Sequence, residues 1–349
     1  MPAAIQFPSW LSPEIIPGLP FRWYGLMYVV AFGITWLLFN FEAKRRRAPW
    51  TEDEAASFFF WAILGLLLGA RIFGTFLYDP TGYYLAKPWM AFWPFDDSGR
   101  FSGFQGMSYH GGLVGVIVAT FLYTWKKKLP WLAFADVLAV SVPLGYTFGR
   151  LGNFINGELW GKVTASPIGM IFPNAGLFSA KETWVQDIAA KVGIPISSMN
   201  DMVNLPRYPS QLFEAAFEGL ALWLILWIFV RKRKAFTGFA SAAYITGYGI
   251  ARFVIEYFRE PDKGVDWVIA LGNPKAPTWT FTTPLNFSMG QVLSSFMILG
   301  GVLWLIFGGR IASAIDARYE AAAVARAEAL AQEKDAAKNA ARKRRKKLG

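Results

Sequence analysis

The block GRLGNFINGELWG, residues 149–161, combines several polar side chains with glycines and large apolar residues. Its polar members are Arg150, Asn153, Asn156 and Glu158. The block follows an apolar run, residues 131–148, that has about the length of a membrane span. A charged group at the centre of a membrane helix costs about 2.5–3.5 kcal/mol on insertion scales, so polar groups gathered there indicate function. We expect this block to hold an anionic lipid headgroup and to expose it to attack.

Three isolated arginines, Arg71, Arg150 and Arg252, each lie near one end of an apolar run. Guanidinium groups match phosphate oxygens in a forked geometry, so arginines that meet at one depth predict a phosphate clamp. Glu256 follows Arg252 at helical spacing, and Tyr248 lies one turn before it on the same face. The alternative for Arg252 and Glu256 is an ion pair that satisfies itself within the membrane.

His110 is the single histidine of the chain and stands in the segment GMSYHGG, residues 106–112. An imidazole with a pKa of about 6.5 could accept a proton from a thiol with a pKa of about 8.5, although a lone histidine is often only a packing residue. The chain has no cysteine, so such a thiol would belong to a substrate. One histidine without cysteine argues against a transition-metal site, and no cofactor is expected.

Membrane helices are the elements that must position these residues, because 54% of the chain is hydrophobic, 17% is aromatic and only 17% is charged. The mean hydropathy is +0.31. Apolar runs of about spanning length cover residues 22–42, 55–78, 109–125, 131–149, 211–230, 238–258 and 290–308. The sequence therefore predicts an all-α polytopic membrane protein with seven transmembrane helices.

Basic clusters follow the first, third and fifth runs at residues 44–47, 126–128 and 231–234, and a basic tail, residues 309–349, follows the seventh. With seven spans all four lie on one side, which the positive-inside rule assigns to the cytoplasm, and the N-terminus is outside. We expect the tail to be helical at first and then disordered, either lying on anionic lipid or simply solvated. The net charge of +11 is thus explained by basic clusters on the cytoplasmic side of a membrane protein, and no nucleic-acid partner is expected.

The domain organisation follows from the same pattern. Residues 1–21 lack a basic n-region and contain several prolines, so they predict an extracytoplasmic lead-in and no cleavable signal peptide. Residues 22–308 form the seven-span domain. Its external parts are a small head at about 150–210, between spans four and five, and two arms at about 79–108 and 259–289.

Several further segments stand in order along the chain beside residues 149–161. They are WYGLMY at 23–28, SYHGG at 108–112, PSQL at 209–212, and GYG at 247–249 followed by Arg252, Glu256, Arg259, Pro261 and Asp262. Together they resemble the bacterial phosphatidylglycerol–prolipoprotein diacylglyceryl transferases over about residues 20–308. The resemblance implies seven membrane helices with an external head between spans four and five, in agreement with the independent hydropathy pattern.

The resemblance also implies a reaction. Members of this family move the diacylglyceryl group of phosphatidylglycerol onto the thiol of the lipobox cysteine of a prolipoprotein and release glycerol phosphate. They act in the bacterial cytoplasmic (inner) membrane as multi-pass proteins, with the active site near the periplasmic face. The expected partners are therefore phosphatidylglycerol, the prolipoprotein signal peptide with its lipobox cysteine, and membrane lipid.

Site residues carry over motif by motif from this resemblance. Catalytic roles are implied for Arg150, Arg252 and His110. Substrate contacts are implied in the same way for Tyr24, Asn153, Glu158 and Gly161. The residue pattern itself adds four more expected substrate contacts, namely Arg71, Asn156, Tyr248 and Glu256. Two residues depart from the family pattern, since Tyr208 stands where the family has histidine before Pro209, and Phe213 stands where it has tyrosine. Both fall at the edge of the head and bear only on fine substrate contacts.

Four of these roles have alternatives. The two asparagines could cap the turn after span four, and Tyr24 could merely anchor span one at the interface. His110 takes the thiol proton or only orients lipid. Glu256 contacts substrate or positions Arg252.

Two other functions fit part of the pattern. Buried arginine and glutamate also mark the permeation paths of transporters and flippases. A transporter or flippase is expected to have inverted repeats or broken helices near mid-membrane. A non-catalytic lipid-binding scaffold would depend on the basic tail and tolerate the loss of Arg150, whereas the transferase would show the reverse.

Overall fold

The computed structural model describes residues 4–16, 18, 21–79, 81–100, 106–233, 235–261 and 266–347. Lys234 of the third basic cluster and Asp262 of the last motif lie outside the described residues, as do parts of the predicted lead-in and of both arms.

The described chain is mostly helical. Its helices are α1 (Trp23–Arg46), α2 (Glu52–Leu77), α3 (Tyr83–Ala86), α4 (Tyr109–Lys126), α5 (Trp131–Ile155), α6 (Thr183–Val192), α7 (Ser210–Val230), α8 (Phe239–Ile255) and α9 (Met289–Lys347). Among the described residues, five helices are long and apolar enough to cross a membrane, namely α1, α2, α5, α7 and the first part of α9. The remaining two apolar runs lie on α4, with 18 residues, and on α8, with 17 residues. The prediction of a helical membrane protein is confirmed at this coarse level.

Short strands accompany the helices in pairs. β1 (Ile5–Gln6) pairs in parallel with β2 (Met170–Ile171). β3 (Phe178–Ser179) and β4 (Met202–Val203) form an antiparallel pair. β5 (Ile269–Ala270) and β6 (Asn286–Phe287) form another.

The chain divides into two compact units. The first comprises Met1–Glu42 and Ala135–Ser313, and the second comprises Ala43–Phe134 and Ala314–Gly349.

Within the first unit, the part that follows α5 has its own small core. Val185 and Ala189 on α6 are fully buried and pack with Val163, Val203 and Leu205. Helix α5 continues past residue 150, where the head was predicted to begin, to Ile155, and it ends where Gly157 adopts a left-handed backbone with φ 63. The first residues of the polar block therefore stand on a helix.

Helices α5, α7 and α8 pack against one another in the first unit. Their shared core is formed by Val140, Leu222, Leu226 and Ala240. Asp136 on α5 accepts hydrogen bonds from the backbone N–H groups of Gly238 and Ser241, both at 2.8 Å, and so satisfies the free donors at the start of α8. These contacts fix the helices that carry the arginines.

In the second unit, α2 and α4 pack through glycines. A Cβ added to Gly115 would lie 2.0 Å from the carbonyl oxygen of Gly65, and a Cβ added to Gly69 would lie 2.2 Å from that of Gly111. The backbones can approach this closely only because neither helix carries a side chain there. The Gly65-x-x-x-Gly69 spacing on α2 therefore serves close helix packing.

Gly115→Ala is expected to destabilise the second unit, because a methyl group cannot be accommodated against a backbone carbonyl without moving a helix. Overpacking of this kind typically costs about 1–3 kcal/mol. Thermal unfolding in detergent checks this, with Gly33→Ala on α1 as the control, since a Cβ at Gly33 meets nothing within 4 Å. Equal melting temperatures for the two variants would contradict the close helix contact.

Helix α9 runs through the basic tail to Lys347. The tail was predicted to become disordered after a first helical part. Residues 310–347 contain neither glycine nor proline and consist mainly of alanine, glutamate, lysine and arginine, which are strong helix formers. Local propensity therefore accounts for the continued helix.

Candidate active site

The polar block is shaped by the end of α5 and the turn that follows it. Arg150 and Asn153 lie three residues apart in the last turns of the helix, so both side chains share one face. Beyond the helix, Gly157 and Leu159 both have a left-handed backbone, with φ 63 and φ 58. This conformation is uncommon for leucine, and such strain concentrates at functional sites. The turn brings Glu158 back beside Asn153.

Arg150 is held by side chains from two helices. Its Nε donates to the hydroxyl of Tyr146, at 2.7 Å, and lies 3.1 Å from a carboxylate oxygen of Glu214 on α7. The guanidinium group also lies over the Tyr146 ring, 4.9 Å from its centroid. These contacts fix the direction of the guanidinium plane before any ligand binds.

Two carboxylates on α7, Glu214 and Glu218, complete this cluster. Both side chains are fully buried, and Arg252 Nη1 lies 3.3 Å from Glu214 and 3.7 Å from Glu218. Tyr146 donates a hydrogen bond to Glu218. Neither glutamate was among the predicted site residues, although two carboxylates four residues apart in an apolar run were a usable signal. Averaged hydropathy concealed them among the aliphatic residues of that run.

The end of α8 carries the other half of the cluster. Arg252 forms the expected intrahelical ion pair with Glu256 at 2.9 Å, but it also reaches Glu214 on α7, so the pair is not self-contained. Arg259 lies 3.7 Å from Glu256, and Ser288 donates to Glu256 at 3.0 Å. Glu256 thus positions Arg252 and Arg259 together.

The accessible part of this cluster is cationic. The side chains of Arg150, Arg252 and Arg259 are 13–14% exposed, whereas those of Glu214, Glu218 and Glu256 are 0–2% exposed. The carboxylates compensate the arginines from behind, which makes it tolerable to keep these charges in an apolar surrounding. An anion that enters meets guanidinium edges first and can exchange with a carboxylate for their hydrogen bonds.

The two asparagines are tied to Glu158. Asn153 and Asn156 donate their Nδ2 groups to the same oxygen, Oε1 of Glu158, at 3.0 and 3.2 Å. Arg150 Nη1 donates to Asn153 Oδ1 at 3.5 Å, so this amide group connects to the arginine cluster. The Oδ1 atom of Asn156 is buried and has no hydrogen-bond partner among the described residues.

Tyr24 on α1 and Tyr248 on α8 line the same region of the first unit. A Cβ at Gly152 would lie 3.4 Å from the Tyr24 ring, and the Tyr24 hydroxyl is 3.0 Å from that of Tyr28. The Tyr248 ring stands perpendicular to that of Tyr146, with centroids 6.0 Å apart. Both tyrosines therefore lie against residues that hold Arg150 or belong to its helix.

Gly161 ends the polar block at a close backbone crossing. Its N–H donates to the carbonyl of Tyr208 at 2.8 Å, and it bridges to Arg259. A Cβ at this position would lie 2.2 Å from the carbonyl oxygen of Phe258. Glycine is required here because the chain passes directly against the end of α8.

Comparison with known proteins decides the family. Residues 13–307 match the model of the family described as prolipoprotein diacylglyceryl transferase. The chain belongs to this family.

Named relatives agree over most of their length. The chain is 52% identical over 315 residues to the phosphatidylglycerol–prolipoprotein diacylglyceryl transferase of Treponema denticola. The matched region covers 86% of this chain and 93% of that protein. It is 48% identical over 312 residues to the Treponema pallidum protein of that name, with coverages of 86% and 93%. For the Chlorobaculum tepidum protein the identity is 40% over 320 residues, with coverages of 89% and 94%.

The two departures from the diacylglyceryl transferase pattern lie together. The rings of Tyr208 and Phe213 both pack against Phe258, with centroid distances of 5.2 and 5.8 Å. Their own centroids are 6.3 Å apart. Tyr208, Phe213 and Phe258 therefore form an aromatic cluster at the end of α8.

Two of the predicted site residues, Arg71 from the arginine pattern and His110 from a family motif, belong to the second unit. Arg71 is buried and donates to the backbone carbonyls of Ala91 and Met90, the latter at 3.4 Å. His110 is exposed at the start of α4, where its Nδ1 lies 3.5 Å from the Tyr78 hydroxyl. Arg71 thus binds the arm that follows α2, and the roles of both residues in substrate binding or catalysis remain predictions.

Proposed function

We propose that this chain transfers the diacylglyceryl group of phosphatidylglycerol to the cysteine thiol of a prolipoprotein, as the names of its relatives describe. The observation that carries the proposal is the arginine cluster on α5 and α8. Arg150 and Arg252 present accessible guanidinium edges and are held from behind by buried carboxylates. This arrangement suits a lipid phosphate that must be bound before reaction and released as an anion after it.

The proposed setting is the bacterial inner membrane. Helices α1, α2, α4, α5, α7, α8 and the first part of α9 are the seven spans, with residues 1–21 outside and residues 309–349 in the cytoplasm. Residues 22–308 then form the catalytic domain. The alternation of basic clusters along the sequence supports this orientation, which places the polar block near the periplasmic face.

The reaction is a displacement at carbon. The thiol sulfur of the lipobox cysteine forms a bond to the glycerol carbon that bears the phosphoester, and the bond from that carbon to the ester oxygen breaks. The electron pair leaves with glycerol phosphate, whose added charge Arg150 and Arg252 stabilise. A well-placed donor of this kind is typically worth about 3–4 kcal/mol in the transition state. The thiol proton passes to a base, for which His110 is the candidate on sequence grounds.

The surrounding residues have positioning and binding roles in this proposal. Asn153, Asn156 and Glu158 form a hydrogen-bonded group that contacts the glycerol or phosphate oxygens. Tyr24 and Tyr248 offer hydroxyl groups beside the bound headgroup. Glu256 orients Arg252, and Gly161 allows the backbone crossing that fixes the block against α8.

A transfer assay tests the proposal directly. The purified full-length protein is reconstituted in micelles that contain phosphatidylglycerol and given a lipobox peptide with a free cysteine. Mass spectrometry is expected to find a diacylglyceryl thioether on the peptide and an equal amount of glycerol phosphate. A peptide with serine in place of the cysteine, and micelles with phosphatidylethanolamine in place of phosphatidylglycerol, are expected to give neither product.

The same samples distinguish the rival functions. A folded protein that binds phosphatidylglycerol and forms no thioether would contradict the transferase and favour a lipid-binding scaffold or a transporter. Lipid movement across proteoliposomes without any peptide would point to transport.

A further inference from the structure

Lys162 directly follows the polar block and is almost fully buried, with 1% of its surface exposed. Its Nζ donates to the carbonyl oxygens of Tyr257, at 3.1 Å, and Glu256, at 3.5 Å, and lies 5.0 Å from the centroid of the Trp267 ring. The last carbonyls of a helix have no partner within the helix and attract cations. Lys162 therefore caps the C-terminal end of α8.

The backbone around Lys162 makes the same connection. Its N–H donates to the carbonyl of Phe258 at 2.8 Å, and its own carbonyl accepts from Tyr208 at 3.0 Å. With the Gly161 to Arg259 bridge, one short segment holds the end of α8 through main chain and side chain together.

The part of α8 that Lys162 holds is the part that orients the arginines. Glu256, whose carbonyl Lys162 binds, forms ion pairs with Arg252 and Arg259 through its side chain. We propose that Lys162, in its protonated form, is a positioning residue that fixes the end of α8 and thereby sets Arg252 and Arg259 for the lipid phosphate. The inference rests on the function proposed above and adds a pH-sensitive support to it.

The charges around Lys162 determine when it is protonated. In the described part of the chain, the carboxylates of Glu256 and Glu260 interact electrostatically with Lys162 and favour its ammonium form. Arg259 is paired with Glu256, and Arg207 with Glu260. Burial lowers the pKa of Lys162 to about 8, because it disfavours the ammonium form by more than the two carboxylates favour it. The lysine thus loses its charge as the pH rises past about 8.

Deprotonation of Lys162 raises its contribution to the stability of the folded chain, but it weakens the hold of this side chain on the end of α8. The unfolded lysine has a pKa of about 10.4, so between about pH 8 and pH 10 the unfolded chain binds more protons and the contribution of this residue to stability rises with pH. Over the same range the α8 carbonyls lose a charged donor. A fall in activity that originates at Lys162 is therefore separable from unfolding.

The test compares Lys162→Arg, Lys162→Met and wild type in the transfer assay across this pH range, with Lys181→Met on the exposed head surface as the control. Relative to wild type, kcat/KM of Lys162→Arg is expected to rise about ten-fold from about pH 7 to about pH 9, because arginine keeps its charge. The ratio cancels the titration of the peptide thiol. Lys162→Met is expected to be impaired about ten-fold or more at about pH 7, and Lys181→Met to match wild type throughout.

Hydrogen exchange of wild-type protein gives a readout that needs no activity. After correction for intrinsic rates, residues 252–260 are expected to lose protection from about pH 7 to about pH 9, while α6 does not. Unchanged protection, or a Lys162→Arg profile parallel to wild type, would overturn the inference. If the wild type forms no product at all, the proposed function fails, and the exchange data still decide whether Lys162 holds α8.

Discussion

Arg150→Lys is expected to lower kcat/KM for diacylglyceryl transfer by about 100-fold to 1000-fold, the loss typical of removing one preorganised donor to a developing anion. Lysine keeps the charge but replaces a planar fork by a single ammonium group. Arg150 uses Nε for Tyr146 and Glu214 and Nη1 for the Oδ1 atom of Asn153, at 3.5 Å, which leaves the Nη2 edge of the guanidinium group for a ligand. The single ammonium group of a lysine cannot keep these protein contacts and also present a forked donor to the phosphate.

The distribution of this loss between kinetic constants is informative. Because the charge on glycerol phosphate develops in the transition state, most of the effect is expected in kcat and less in KM. Arg22→Lys, at an exposed arginine of the first unit, is the matched control and is expected to leave both constants unchanged. A folded Arg150→Lys protein within about three-fold of wild type would exclude the donor role of its guanidinium group.

Gly161→Ala is expected to abolish transfer and to lower the melting temperature, because its methyl group has no available space. The added Cβ would lie 2.2 Å from the carbonyl oxygen of Phe258 and 2.9 Å from that of Tyr208, and both are backbone atoms. Relief requires the head segment to move away from the end of α8. That movement separates the polar block from Arg252 and Arg259.

The matched control for this substitution comes from the other end of the block. A Cβ at Gly149 meets nothing within 4 Å, and Gly149 lies inside α5, where alanine is favoured over glycine by up to about 1 kcal/mol. Gly149→Ala is therefore expected to keep its melting temperature and activity. Thermal unfolding in detergent and the transfer assay check both variants. A normal Gly161→Ala protein would show that the crossing at Phe258 is looser than described.

The sequence predicted the helices better than the boundaries between them. Each apolar run lies on a helix, because membrane-length hydrophobic segments leave the backbone few other ways to satisfy its hydrogen bonds. The head was predicted to begin at Arg150, yet α5 continues to Ile155, since a single glycine within a helix weakens it without ending it. The left-handed Gly157 ends the helix through a local backbone conformation that hydropathy does not report.

The sequence predicted the cationic half of the cluster and missed the anionic half. Arg150 and Arg252 stood out because each is isolated near the end of an apolar run. Glu214 and Glu218 lie within α7, where their charges become meaningful only when packing brings α5 and α8 against them. The hydrogen bonds from Arg71 to the carbonyls of the following arm could not be predicted from the sequence either, because they depend on how that arm folds back.

The most direct test of the central claim follows one oxygen atom. Phosphatidylglycerol is prepared with a heavy oxygen isotope between the phosphorus and the diacylglyceryl carbon, and it is reacted with the lipobox peptide on the purified protein. Attack of the thiol at carbon predicts that all of the label appears in glycerol phosphate and that the peptide carries an unlabelled diacylglyceryl thioether. Label retained in the lipid product, or glycerol phosphate released without a thioether, would contradict transfer by this site.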